Sequence, residues 1–104
     1  MPPDQILSQI RRRLAEVFGD RLKGVVLYGS EARGEAEPES DIDLMVLLTG
    51  PVAFGKDLEA IVRALYPVQL ETDRLIDAWP ADVKAYEEQV FSIYRRARRE
   101  GVLL

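Results

Sequence analysis

The sequence contains no cysteine and no histidine. Without cysteine there is no disulfide, no thiolate nucleophile and no cysteine-bound zinc. Without histidine, the usual general base near neutral pH and the usual transition-metal ligand are both missing. Ionisable chemistry therefore falls to carboxylates, Lys, Arg and Tyr, and carboxylates as sole ligands favour hard cations such as magnesium. Also absent is any apolar run near the ~20 residues a membrane helix needs. Met1-Pro2-Pro3-Asp4 lacks the basic-then-apolar pattern of a secretory signal, so the expected location is cytoplasmic. A basic excess is missing too: the formal net charge is −4, which argues against a generic grip on nucleic acid. What is present is an ordinary globular composition, 47% hydrophobic and therefore too apolar for disorder. Its 104 residues suit one domain, 1–104, with one core. Little surface is left over for a deep private substrate pocket.

Periodicity orders the chain. Asp4 is a candidate cap for a first helix carrying Ile6, Ile10, Leu14, Val17 and Phe18 at helical spacing, and Gly19 ends it. Gly24 to Tyr28 is a short β-rich run, broken by Gly29-Ser30. Glu31-Ala32-Arg33 suits one helical turn, and Glu35 to Ser40 reads as a loop. Asp41 to Leu48 is apolar almost throughout, as a buried central strand is. A second long helix covers Phe54 to Tyr66, with Leu58, Ile61, Val62 and Leu65 inward and Pro67 as its stop. The third strand falls between Val68 and Trp79, best placed at Arg74 to Ala78. Pro80 then opens a last helix with Val83, Tyr86, Val90, Ile93 and Ala97 inward, and Gly101 ends it before an apolar tail, Val102 to Leu104. Strands two and three, joined through a helix, should be parallel with a right-handed crossover. Strands one and two should be antiparallel.

Four features carry chemistry. Asp41 and Asp43 are two apart on a strand, so they face the same way with Cα atoms ~6.6 Å apart. Asp43 is followed by Leu44-Met45-Val46-Leu47-Leu48, and an unpaired charge inside so apolar a strand is costly. A cation between the two acids relieves both problems, and paired metal ions sit ~3.5–4 Å apart in two-metal sites. Read blandly, Asp41 caps a loop and Asp43 is a solvated strand residue. Gly29-Ser30, directly after a strand, offers bare backbone N–H groups and a hydroxyl to phosphate oxygens, or is an ordinary strand-to-helix turn. Arg33 lies one helical turn beyond Ser30, where its planar fork suits a phosphate, though a surface pair with Glu35 or Glu37 would also explain it. Asp77 is an acid in the short apolar run Leu75 to Trp79 and can approach Asp41 and Asp43 if strands two and three are neighbours. Asp73 and Glu71 compete with it from a more polar stretch.

Gly29-Ser30, ten residues, then Asp41-Ile42-Asp43 resembles the signature of the DNA polymerase β-like nucleotidyltransferase superfamily. The wider stretch from Leu27 to Ala36 and from Ser40 to Leu44 is similar to its minimal nucleotidyltransferase branch, and the Gly101 to Leu104 ending also looks typical. The resemblance implies an α/β (α+β) fold: a small mixed sheet of three or four strands with helices packed against it. It implies that Asp41 and Asp43 bind two Mg2+ ions, and that a third-strand acid, matched to Asp77, completes the site and helps activate the attacking oxygen. Gly29, Ser30, Arg33 and Ser40 would hold the nucleotide, and NMP, best AMP from ATP, would pass to an acceptor oxygen with loss of pyrophosphate. The match around Asp77 is a short pattern without fixed spacing.

Larger members of the superfamily carry extra lobes that grip the acceptor, for which this chain has no room. The minimal branch is found beside all-helical partners of the HEPN type. The resemblance thus implies an antitoxin that attaches AMP to a hydroxyl, such as a tyrosine, on a partner toxin. Arg11-Arg12-Arg13 and the group Arg95, Arg96, Arg98 and Arg99 are candidate docking charges. The plainer readings are a solvated helix face for the first group and pairing with the helix dipole for the second. The tail is expected to cover the core or an edge strand, or to pair with another subunit in a homo-oligomer. Two rival readings are a non-catalytic module that neutralises its partner by contact, and a small-molecule nucleotidyltransferase of the aminoglycoside type.

Overall fold

The computed structural model describes residues 3–29 and 41–104. In chain order they form α1 (Pro3–Phe18), a 3-10 turn (Gly19–Arg21), β1 (Leu22–Tyr28), β2 (Ile42–Leu48), α2 (Phe54–Gln69), β3 (Ile76–Asp82), α3 (Val83–Glu87), α4 (Ser92–Glu100) and β4 (Val102–Leu103). Among the described residues the strands make one mixed sheet in the order β3-β2-β1-β4. β1 runs antiparallel to β2 and to β4, and β2 runs parallel to β3. The expected mixed sheet and both expected strand orientations hold. The apolar tail becomes the edge strand β4, and the Leu104 amide donates to the Val25 carbonyl at 2.8 Å.

Alternation along the strands builds two cores. Val25, Leu27, Ile42, Leu44, Val46, Leu48 and Ala78 face α1 and α2, meeting Ile6, Ile10 and Leu14 from one helix and Ile61, Leu65 and Val68 from the other. Val26, Met45, Leu47 and Ala81 face the opposite way, against Tyr94 and Ala97 of α4. β2 is buried on both faces at every residue except Asp43, which explains its nearly unbroken apolar composition. No helix among the described residues is long and apolar enough to cross a membrane.

Several boundaries differ from the expectation. α2 continues past Pro67 to Gln69, because Val68 is fully buried and a proline in the last turn forfeits only one late hydrogen bond. Its inward stripe is Ile61, Ala64, Leu65 and Val68, while Val62 is 58% exposed. Pro80 does not start a helix: it lies inside β3. β3 is an edge strand, where a missing N–H is tolerated. The helix that follows is capped instead by Asp82, whose carboxylate accepts from the Lys84 and Ala85 amides. The expected single last helix is two, separated at Gln89 with φ of 55°. Tyr94 and Ala97 set the inward face of α4, leaving Val90 and Ile93 exposed. Val17 is half exposed, Asp4 lies within the first turn of α1, and Asp41 immediately precedes β2 instead of opening it.

Among the described residues Asp57 is the one buried charged side chain. Both its oxygens accept from Arg21, at 3.0 and 3.1 Å, and one also accepts from the Ala53 amide that begins α2, at 3.1 Å. This fork ties α2 to the turn entering β1. The hydrogen bonds from Arg21 hold the Asp57 carboxyl below the ordinary carboxylate range, against the opposing effect of burial. Because the folded value is depressed, the contribution is fully present above the unfolded pKa of ~3.9 and disappears as pH falls through the folded value. We predict that Asp57→Ala costs about 2 kcal/mol in denaturant unfolding at neutral pH. We also predict that Asp57→Asn removes part of the acid-induced loss of stability seen in the parent. An unchanged acid profile would contradict this assignment.

Candidate active site

The site begins with strand register. Asp43 of β2 is the direct partner of Tyr28 on β1 and of Asp77 on β3. Residues directly opposite one another share a face, so Tyr28, Asp43 and Asp77 form a row, with neighbouring strands ~4.8 Å apart. The row lies where β1 ends and β2 and β3 begin, on the face that α4 covers further along. Asp43 is half-buried, and Asp41 and Asp77 are exposed. The register places Asp77 opposite Asp43, whereas Asp73 and Glu71 precede β3 in the connection from α2.

Gly29 joins the turn to the acids. Its φ is +74°, and a Cβ built on it would run into the Asp43 carboxylate. The backbone therefore turns against the acid, in a conformation that L side chains rarely adopt. Ser30, Arg33 and Ser40, the other sequence-based candidates, lie outside the described residues.

Trp79 and Tyr94 support the row through Tyr28, and sequence reasoning assigns none of these three a role in the site. The Trp79 indole N–H donates to the Tyr28 hydroxyl at 2.6 Å, and the rings meet edge to face at 6.3 Å. Trp79 also stacks on Tyr94 of α4, with centroids 6.3 Å apart. Burial raises the Tyr28 pKa; the Trp79 hydrogen bond opposes this, and the Asp43 and Asp77 carboxylates push it further up. Both acids thus act on the same phenol. The available signal was period two: Trp79 follows Asp77 by two residues, and Tyr28 immediately precedes Gly29.

Among the described residues no three metal-ligand side chains are gathered around a common point. The row is nevertheless chemically suited to a hard divalent cation. It supplies only oxygen donors, from adjacent strands, and a cation would relieve the repulsion between two neighbouring carboxylates. A cavity of about 260 Å³ adjoins the row, lined by Tyr28, Gly29, Ile93, Arg96, Ala97 and Glu100. Of the clustered arginines on α4, Arg98 donates to the Glu87 carbonyl at 2.8 Å, and Arg96 and Arg99 pair with Glu100 at 3.7 and 3.4 Å.

This sheet, with acids paired across β2 and β3 beside a glycine turn, is the framework of a nucleotidyl-transferring domain. Residues 7–104 match the family described as "Nucleotidyltransferase domain", and the chain belongs to that family. It is 37% identical over 79 residues to a "Bifunctional uridylyltransferase/uridylyl-removing enzyme" of Bordetella pertussis, a match that covers 66% of this chain but only 9% of that protein. It is 29% identical over 72 residues to "Putative protein adenylyltransferase MJ0141" of Methanocaldococcus jannaschii, covering 69% of this chain and 72% of the relative. A second protein of that organism, "Putative protein adenylyltransferase MJ0604", is 27% identical over 100% of this chain and 99% of its own length. Among solved structures, a mutant of the toxin-antitoxin pair MntA-HpeT shares the fold, with a TM-score of 0.60 at 16% identity, over 100% of this chain and 72% of the matched one.

Gly29→Ala is expected to cost about 1–2 kcal/mol from backbone strain, plus the clash with Asp43. In a denaturant double-mutant cycle, Asp43→Ala should recover the clash component and leave the strain. Strict additivity of the two changes would show that the turn and the acid do not touch.

Proposed function

We propose that this chain transfers AMP from ATP to a hydroxyl group of a partner protein. In this reading residues 1–104 act in the cytoplasm as one nucleotidyltransferase domain, and the partner is a helical HEPN-type toxin that modification silences. The observation that carries the proposal is the pairing of Asp43 with Asp77 directly beside the Gly29 turn. Two further facts support it. Two relatives matched over most of their length carry the name "Putative protein adenylyltransferase", and a chain of a toxin-antitoxin pair shares the fold.

Asp41, Asp43 and Asp77 would hold two magnesium ions, which when bound lower the pKa of the acceptor hydroxyl and neutralise charge on the departing pyrophosphate. Gly29, Ser30, Arg33 and Ser40 hold the triphosphate through backbone amides, hydroxyls and one guanidinium. Asp77, on the outermost strand of the row, takes up the acceptor proton as the acceptor oxygen bonds to the α-phosphorus and the bond to pyrophosphate breaks. Most of the rate gain comes from placement and from charge stabilisation in a site already built.

A contact-only antitoxin is the second reading, favoured by the lack of a three-ligand cluster among the described residues. The uridylyltransferase relatives make UTP the main rival to ATP. Incubation of the chain and its cognate partner with each labelled NTP, with magnesium and with EDTA, separates these possibilities. We predict magnesium-dependent labelling of the partner from ATP. Asp41→Asn combined with Asp43→Asn should lower transfer by at least ~100-fold, with the melting temperature retained. Neutralisation of the partner without any labelling would favour contact alone, and full transfer by the double mutant would refute the assigned acids.

A further inference from the structure

The row of acids gives the bound nucleotide a direction. The sheet order β3-β2-β1 steps from Asp77 through Asp43 to Tyr28, and Gly29, which follows Tyr28 at the β1 end of the row, lies against the Asp43 carboxylate. If the acceptor oxygen approaches from Asp77, in-line displacement sends the leaving phosphates the opposite way, over Gly29. α4 covers this face of β1, where its Tyr94 and Ala97 pack with Val26.

Between Gly29 and α4 lies the cavity of about 260 Å³. Ile93, Arg96, Ala97 and Glu100 line it at helical spacing, one face of α4. Ile93 and Ala97 are apolar, and Arg96 is the sole cation among the described lining residues. A second depression shares Ile93, Arg96 and Glu100 with this cavity and adds Arg95 and Arg99, so three arginines outnumber one acid. The helix dipole accounts for basic residues in the last turn, Arg98 and Arg99; it does not account for Arg96.

We propose that Arg96 binds the terminal phosphates of the nucleoside triphosphate, an assignment that rests on the nucleotidyl-transfer reading above and extends it to the leaving-group end. Its exposed pairing with Glu100, at 3.7 Å, is weak enough to exchange for a phosphate, and its planar fork suits that ligand. Glu100 keeps Arg99 at 3.4 Å when Arg96 turns away. Glu100 therefore restrains Arg96 in the free protein and repels the incoming phosphates.

The test is equilibrium binding of magnesium ATP and of AMP, by calorimetry, to the parent chain, Arg96→Ala, Arg96→Lys, Glu100→Gln and, as a charge control from the other side of the sheet, Arg63→Ala. Arg96→Ala should weaken ATP binding roughly tenfold and leave AMP within about twofold. Arg96→Lys should be intermediate, Glu100→Gln should tighten ATP, and Arg63→Ala should change neither. Unchanged ATP affinity in Arg96→Ala would overturn the assignment, as would equal losses for ATP and AMP, which would place the nucleoside in the cavity. A parent chain that binds no ATP would overturn both this assignment and the reading beneath it.

Discussion

Two carboxylates on adjacent strands, paired in register, are the constraint on which this structure turns. Asp43 and Asp77 are direct partners in the parallel ladder of β2 and β3. Like charges placed there repel, and Asp43 sits at the mouth of a strand whose other residues are all buried. Such a pair opposes folding unless something positive shares the space. A slip of one residue would not relieve it, because it would turn Asp43 toward the apolar core that α1 and α2 cover. The apolar packing thus holds the acids together.

The rest of the molecule keeps this corner in place. On one face, α1 and α2 seal the sheet, and Arg21 with Asp57 locks α2 to the entry of β1. On the other, the Trp79 indole bridges Tyr28 on β1 and Tyr94 on α4, so the helix lining the cavity is anchored to the strands carrying the acids. Gly29 lets the backbone bend against Asp43 where any Cβ would collide. A rigid sheet end with a bare turn beside it is a pre-organised place to develop and neutralise charge.

Much of this could be read from residue order. The unbroken apolar run after Asp43 announced a central strand, and the Asp-x-Asp pair beside a Gly-Ser turn pointed to a metal-assisted phosphate chemistry. The two long helices followed from spacing alone. What misled were the prolines: Pro67 and Pro80 read as boundaries, but tertiary burial of Val68 carries α2 onward and the free edge of β3 accepts Pro80. The break at Gln89 was hidden because its positive φ belongs to a residue type that does not advertise one. The Arg21–Asp57 fork and the Trp79–Tyr28 contact join residues 36 and 51 positions apart, and local pattern carries no information about such pairs. Asp77 stands out over Asp73 and Glu71 by its apolar flanks, and the register adds that it lies directly opposite Asp43.

The chain belongs to the nucleotidyltransferase family, and the proposed transfer rests on the corner of the sheet where Asp43 pairs with Asp77. The most direct test is a crystal soaked with manganese and a non-hydrolysable ATP analogue, examined by anomalous scattering. Metal peaks are expected against the Asp43 and Asp77 carboxylates, with the triphosphate running toward Gly29. Bound nucleotide without metal at these two acids, or metal held elsewhere, would contradict the proposed site.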